Sequence, residues 1–260
     1  MALNSNIEWT DATWNPVTGC TKISPGCKHC YAERFAERFR GVPGHPFEQG
    51  FDLKLWPERL GLPFLWKQPK RIFVNSMSDL FHKAVPDDFI AQVFQTMLAA
   101  NHHIYQVLTK RSERMMMWVQ AFCKQAKMTS IPPHIWLGVS VESEEYVSRM
   151  RDLQRTPAAI RFLSIEPLIG PVNLNKSRLK GIHWVIVGGE SGPEARPMRP
   201  DWAQQIRQQC HASKVAFFFK QWGAYNAYGE FVGKKAAGRE LNGKFWDEMP
   251  SIKTGELLCR

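Results

Sequence analysis

Six apolar runs constrain this chain more than any other feature: RIFVNSM (71–77), HIYQVLT (103–109), IWLGVSV (135–141), IRFLSIE (160–166), HWVIVGG (183–189) and VAFFFKQW (215–222). Helical patterns fill most of the gaps, over 86–100, 113–127, 144–154 and 201–212. The 169–181 connector is shorter and less clearly helical. Strands that are apolar on both faces and separated by helices belong to a parallel sheet covered on both sides. The pattern therefore predicts an α/β fold, a full or partial TIM-like (β/α)6-8 barrel of parallel strands, with a doubly wound sheet as the competing arrangement. A first strand is expected before the series, near 7–9 or 13–17. With no internal repeat and no linker-like stretch, residues 1–260 read as one domain. It carries a Pro/Gly/Trp-rich insertion at 41–69, either a lid or a packed connector. A basic C-terminal appendage at 224–260 is either a hairpin over the barrel mouth or a surface addition.

Between the first strand and this series lies GCTKISPGCKHCYAER (19–34), which sets Cys20, Cys27 and Cys30 in a C-x6-C-x2-C spacing. Gly19, Pro25 and Gly26 allow the sharp turns that wrap thiols round one centre. Three close cysteines point to a metal or iron–sulfur site rather than to core packing. A structural zinc usually takes four protein ligands, so a set of three leaves one position open. Downstream, YAERFAERF reads as an amphipathic helix with Tyr31, Phe35 and Phe39 on one face. The remaining cysteines are dispersed: Cys123 and Cys210 lie in helical patterns and read as packing residues, and Cys259 is near the C-terminus.

Each apolar run ends in polar residues, and in a parallel α/β barrel chemistry sits at that end of the strands. The candidates to hold a cofactor or substrate are Asn75, Ser76 and Asp79 after the first run, Lys110 after the second, and Ser140 and Glu142 after the third. Glu166 follows the fourth and Glu190 the fifth. Glu166 precedes Pro167, where the strand must break. Gly188, Gly189 and Gly192 surround Glu190 and let backbone approach a ligand closely. No G-x-G-x-x-G and no GK[ST] occurs, so neither a dinucleotide fingerprint nor a P-loop is present. No residue is singled out as catalytic.

The net charge of +10 favours a polyanionic partner, nucleic acid first. No apolar run reaches the roughly 20 residues needed to span a bilayer, so no membrane association is expected. The start, MALNSNIEWTD, has neither the basic nor the apolar region of a signal peptide. A cytoplasmic protein is expected, with its cysteines reduced and available as ligands.

A three-cysteine loop opening the first helix of a βα barrel resembles the radical S-adenosylmethionine superfamily. More narrowly, IEWTDATWNPVTGC, NSMSDLFH, LTKR, GVSVE, FLSIEPL, VGGESGPEARPM and FFFKQWG look like a phage- and prophage-associated family of three-cysteine-motif proteins. The resemblance implies a 4Fe–4S cluster on Cys20, Cys27 and Cys30, whose fourth iron binds S-adenosylmethionine and cleaves it reductively to a 5′-deoxyadenosyl radical. It also implies an electron donor such as flavodoxin or ferredoxin. His29 falls where the superfamily often has an aromatic residue packed on the cofactor. The first cysteine gap is six residues where the usual spacing has three, and NSMSD (75–79) stands where a Gly-Gly-Glu usually follows the second strand. The expected activity is modification or repair of a nucleic-acid base or nucleotide. A radical enzyme acting on a peptide or small metabolite, and a non-enzymatic zinc module for nucleic acid with His29, His45 or another residue as fourth ligand, are the alternatives.

Overall fold

A computed structural model describes residues 5–251. Seven strands form one sheet in chain order: β1 (Ala12–Trp14), β2 (Arg71–Val74), β3 (Ile104–Thr109), β4 (Ile131–Ser140), β5 (Ala158–Ile165), β6 (Trp184–Gly188) and β7 (Ala216–Gln221). Every neighbouring pair is parallel, and β1 does not pair with β7. A doubly wound sheet reverses its strand order partway across; this one never does. The fold is an open (β/α) half-barrel, the partial form of the expected architecture.

The connecting helices are α1 (Tyr31–Glu37), α2 (Asp87–Ala99), α3 (Ser112–Gln125), α4 (Ser148–Arg155), α5 (Lys176–Leu179), α6 (Pro200–Ala212) and α7 (Lys234–Ala237). In α2, extended Pro86 precedes the first turn, and Asp87 and Asp88 complement the helix dipole. Its Phe89, Ile90, Val93, Phe94 and Met97 recur at helical spacing and are buried against the sheet. Cys123 of α3 and Cys210 of α6 are buried in the same layer, and Cys259 lies outside the described residues. Among the described residues, no helix is long and apolar enough to cross a membrane.

Strand alternation divides the apolar residues into two cores. Outward side chains such as Ile72, Val107, Leu137, Val139, Leu163, Val185 and Phe219 meet the helices. Inward ones, Phe73, Trp136, Ile160, Phe162, Trp184, Ile186 and Phe218, fill the barrel floor together with Trp9. On two strands the inward side chains are smaller toward the C-terminal end: Trp136, Gly138, Ser140 on β4 and Trp184, Ile186, Gly188 on β6. A Cβ on Gly138 would sit 2.5 Å from the Phe162 ring, so glycine there makes room for that ring. This taper is the physical origin of the cavity above the floor.

Several local expectations change. The first strand is β1; Ile7 and Trp9 instead turn inward as part of the floor. On α1 the buried face is Ala32 and Ala36, whereas Tyr31 and Phe35 are 54% and 45% exposed. Small residues let that short helix lie close against Phe51, Cys20 and Cys30. Phe35 and Phe39 turn to the insertion instead, where Phe39 stacks on His45 with ring centroids 3.8 Å apart. The insertion is a packed connector. Its Lys54–Leu55 pairs with Val17–Thr18, Trp14 Nε1 donates to Arg59 O at 2.8 Å, and none of 41–69 lines the central cavity. The appendage binds the free edge of β7: Phe219 N donates to Trp246 O at 2.8 Å and Glu248 N to Phe217 O at 3.2 Å.

Candidate functional site

The cysteine loop lies over the C-terminal ends of the strands. Gly19 has φ +83°, and a Cβ there would collide with Asp52 O at 2.2 Å, so only glycine turns the chain at this point. The loop is then fastened by polar contacts from four strand ends. Gly19 N donates to Met77 O at 3.0 Å, and Tyr31 OH to Ser76 O at 2.5 Å. Ser24 Oγ donates to Glu142 Oε1 at 2.6 Å, and Gly26 packs so closely that a Cβ would lie 2.4 Å from the Glu142 side chain. Arg196, gripped by Glu190 at 2.6 and 2.8 Å, donates to Pro25 O at 2.9 Å. Arg111 donates to Thr21 O at 3.0 Å and approaches Cys20 Sγ at 3.5 Å.

Beneath the loop is a cavity of about 490 Å³, within the range of roughly 300–1,000 Å³ usual for small-molecule sites. Cys27, Cys30 and His29 line its roof, Trp9, Phe73 and Leu108 its floor, and Lys110, Ser140, Ser164, Glu166, Glu190 and Lys220 its walls. Lys220 Nζ and Glu166 Oε1 form an ion pair at 2.7 Å. His29 Nδ1 lies 3.1 Å from Glu194 Oε2. Trp9 Nε1, a donor, and Gln221 Oε1, an acceptor, belong to residues lining the cavity and are buried without a hydrogen-bond partner among the described residues.

The structure thus brings His29, Lys110, Ser140, Glu166 and Glu190 to one cavity, and holds Asn75, Ser76, Asp79 and Glu142 outside it. Asn75, at φ 61°, ties the tops of β1 and β2 together: its N donates to Trp14 O and its Oδ1 accepts from Val17 N. Ser76 Oγ donates to Asn15 Oδ1. Asp79 accepts from Thr109 Oγ1, Phe81 N, Lys110 N and Arg111 Nη1. Glu142 is fully buried between Lys110 at 3.2 Å and Arg149 at 2.8 Å. Burial alone would raise its carboxyl, but the two cations and the Ser24 hydroxyl hold it below the usual carboxylate range. Glu190 behaves alike, burial being outweighed by Arg196. Nothing in the sequence marks Arg149, one of several charges in the helical pattern over 144–154; only the return of α4 past β4 brings it to Glu142.

The donor set bears on what the loop can hold. The three thiols are half-buried on one loop, and burial pushes Cys20 up to about 11 and raises Cys30, so both are protonated thiols at neutral pH until a metal displaces the proton. Among the described residues, no three His, Cys, Asp or Glu side chains converge on a point where one ion would sit. A cluster that binds each thiolate through a different iron asks for more widely spaced sulfurs than a single zinc does. Three soft donors on one loop, two of them lining the cavity, are the donor type such a cluster takes.

Fold and site together define a parallel half-barrel protein with a three-cysteine loop at the C-terminal edge of its sheet. Residues 4–250 match the family model described as protein of unknown function, DUF5131, and the chain belongs to that family. No curated protein matches it. Among solved structures it is similar to spore photoproduct lyase complexed with dinucleoside spore photoproduct, with a TM-score of 0.44 and 10% identity over 76% of this chain and 60% of that one. A doubly substituted mutant of the same enzyme with bound AdoMet and dinucleoside spore photoproduct gives a TM-score of 0.45 and 10% identity over 78% and 62%. The chain spans about three fifths of the length of these structures.

Proposed function

We propose that this protein is a radical S-adenosylmethionine enzyme acting on a nucleic-acid base or nucleotide. The observation that carries the reading is the placement of Cys20, Cys27 and Cys30 on one loop that roofs a cavity at the C-terminal edge of a parallel half-barrel. Cys20, Cys27 and Cys30 would hold a 4Fe–4S cluster, and His29, Lys110, Ser140, Glu166 and Glu190 stand where S-adenosylmethionine and substrate would meet it. Bound there, the pair supplies a 5′-deoxyadenosyl radical by one-electron reductive cleavage. The chain's own part is to exclude water and orient. The Glu142–Lys110–Arg149 network fixes the loop, the Trp9 and Phe73 floor offers an aromatic face to a planar group, and the Glu166–Lys220 pair can give or take a hydrogen bond inside the cavity.

The nucleic-acid part rests on charge. A groove lined by Glu8, Lys220, Lys234, Lys235 and Arg239 adjoins the cavity and shares Lys220, Gln221 and Lys234 with it, in a chain of net charge +10. Lys220, Lys234 and Arg239 pair there with Glu166, Glu8 and Asp247, which leaves Lys235 without a carboxylate partner among the described residues. Two assays test the reading. Anaerobic protein given dithionite and S-adenosylmethionine is expected to release 5′-deoxyadenosine, and Cys27→Ala none; absence of the product from wild type counts against the enzyme. Binding to single- and double-stranded oligonucleotides, titrated with salt, is expected to weaken steeply as salt rises. No affinity at low salt would leave the enzyme but remove this substrate class.

A further inference from the structure

Arg111 is held with more precision than a strand-end cation needs. One nitrogen, Nη1, donates to Asp79 Oδ2 at 2.9 Å and points at Cys20 Sγ at 3.5 Å; the other, Nη2, donates to Thr21 O at 3.0 Å and Thr21 Oγ1 at 3.2 Å. The planar guanidinium fixes these directions together. Its anchor is fixed as well. Asp79 is 6% exposed and receives Thr109 Oγ1 at 2.7 Å, Phe81 N at 2.9 Å and Lys110 N at 3.1 Å, so it cannot swing toward the cavity. Among the described residues, Cys20 is the one loop thiol with a hydrogen bond from a cationic side chain; Cys27 has only the Ser24 hydroxyl at 3.7 Å.

We infer that Arg111 is a positioning residue that raises the reduction potential of the metal centre through its hydrogen bond to Cys20, with Asp79 as its counterweight. The inference rests on the cluster reading above. When such a centre accepts one electron from a low-potential donor, dithionite in an assay or a flavodoxin or ferredoxin in a cell, the thiolate shell gains negative charge and no bond or proton moves. A guanidinium bonded to one ligand sulfur stabilises that added charge, since hydrogen bonds to the sulfurs and local net charge set the potentials of iron–sulfur centres. Asp79 acts in the opposite sense but stands behind the guanidinium, which is the group bonded to the sulfur. A residue that merely packed the loop would leave the potential untouched. Asp79, expected from the sequence to contact a cofactor, reaches it on this view only through Arg111.

The two charges predict shifts of opposite sign, which loop loosening would not produce. The test is a redox titration of the anaerobically reconstituted full chain, followed by electron paramagnetic resonance, with iron and sulfide content and circular dichroism measured for every variant. Arg111→Gln is expected to make reduction at least tenfold less favourable, a shift of about 59 mV to more negative potential for a one-electron couple. Asp79→Asn is expected to move it to less negative values, and Arg111→Lys to fall between Gln and wild type. Should Arg111→Gln lose its iron, the sign of the Asp79→Asn shift decides. Potentials that stay put in iron-loaded variants, or that move the same way in both, overturn the inference alone. A wild-type chain that assembles no cluster overturns the reading beneath it too.

Discussion

Glu142 shows how much of this site depends on one side chain. Fully buried, it joins the cysteine loop through Ser24 to cations from β3 and α4, so removing its charge leaves Lys110 and Arg149 facing each other without a counterion. Breaking a buried pair from one side costs roughly 3–5 kcal/mol. Glu142→Gln is therefore expected to lower the urea-unfolding stability by about 3 kcal/mol with unchanged m-value; a loss below about 0.5 kcal/mol, the size of an ordinary surface effect, would show that the network does not hold the loop. Histidines set the response to acid. Burial pulls His103, His134 and His183 below their ordinary pKa, so the folded chain binds fewer protons than the unfolded one as pH falls. Their contribution is complete above about pH 6.5 and is lost as pH descends from there toward the folded values. Melting temperatures measured from pH 7.5 to 5 are expected to fall, less steeply in His134→Gln; a flat or rising profile contradicts the assignment.

At the scale of elements, the half-barrel depends on its taper and its edge. Gly138→Ala would press a methyl group into the Phe162 ring, and overpacking of this kind costs roughly 1–3 kcal/mol. Chemical denaturation of that variant measures it, and a neutral result would mean that the floor repacks freely. Removing residues 244–260 would strip Trp246 and Glu248 from β7 and bare a strand edge, so self-association on size-exclusion chromatography is expected. Much of this architecture is legible in the sequence, because period-two burial and helix spacing leave strong marks: six of the seven strands lie within the apolar runs 71–222 or overlap them closely. The cavity's origin is legible too, since Trp-x-Gly-x-Ser on β4 and Trp-x-Ile-x-Gly on β6 shrink toward the same end. What the sequence hides depends on contacts between residues far apart along it. Nothing local says that Ala32 and Ala36, rather than Tyr31 and Phe35, face inward on α1, because that choice follows from how closely Phe51 and the cysteines approach. Likewise, Asp79 and Glu142 look like ligand-facing acids until Arg111, Lys110 and Arg149 are seen to enclose them.

For the molecule as a whole, the proposed redox centre stands at the mouth of the half-barrel with a basic groove beside it. The groove makes a separate prediction. Lys234→Gln with Lys235→Gln should weaken oligonucleotide binding and lower the salt slope by about two, one for each lysine that no longer meets a phosphate; an unchanged slope would move the interface elsewhere. Everything else depends on what the three thiols hold. The most direct measurement is the iron, sulfide and zinc content of anaerobically reconstituted wild type beside a variant with Cys20, Cys27 and Cys30 all changed to Ala. About four irons and four sulfides per wild-type chain are expected, and none in the variant. One zinc and no iron in the wild type, or equal iron in both proteins, would contradict the cluster.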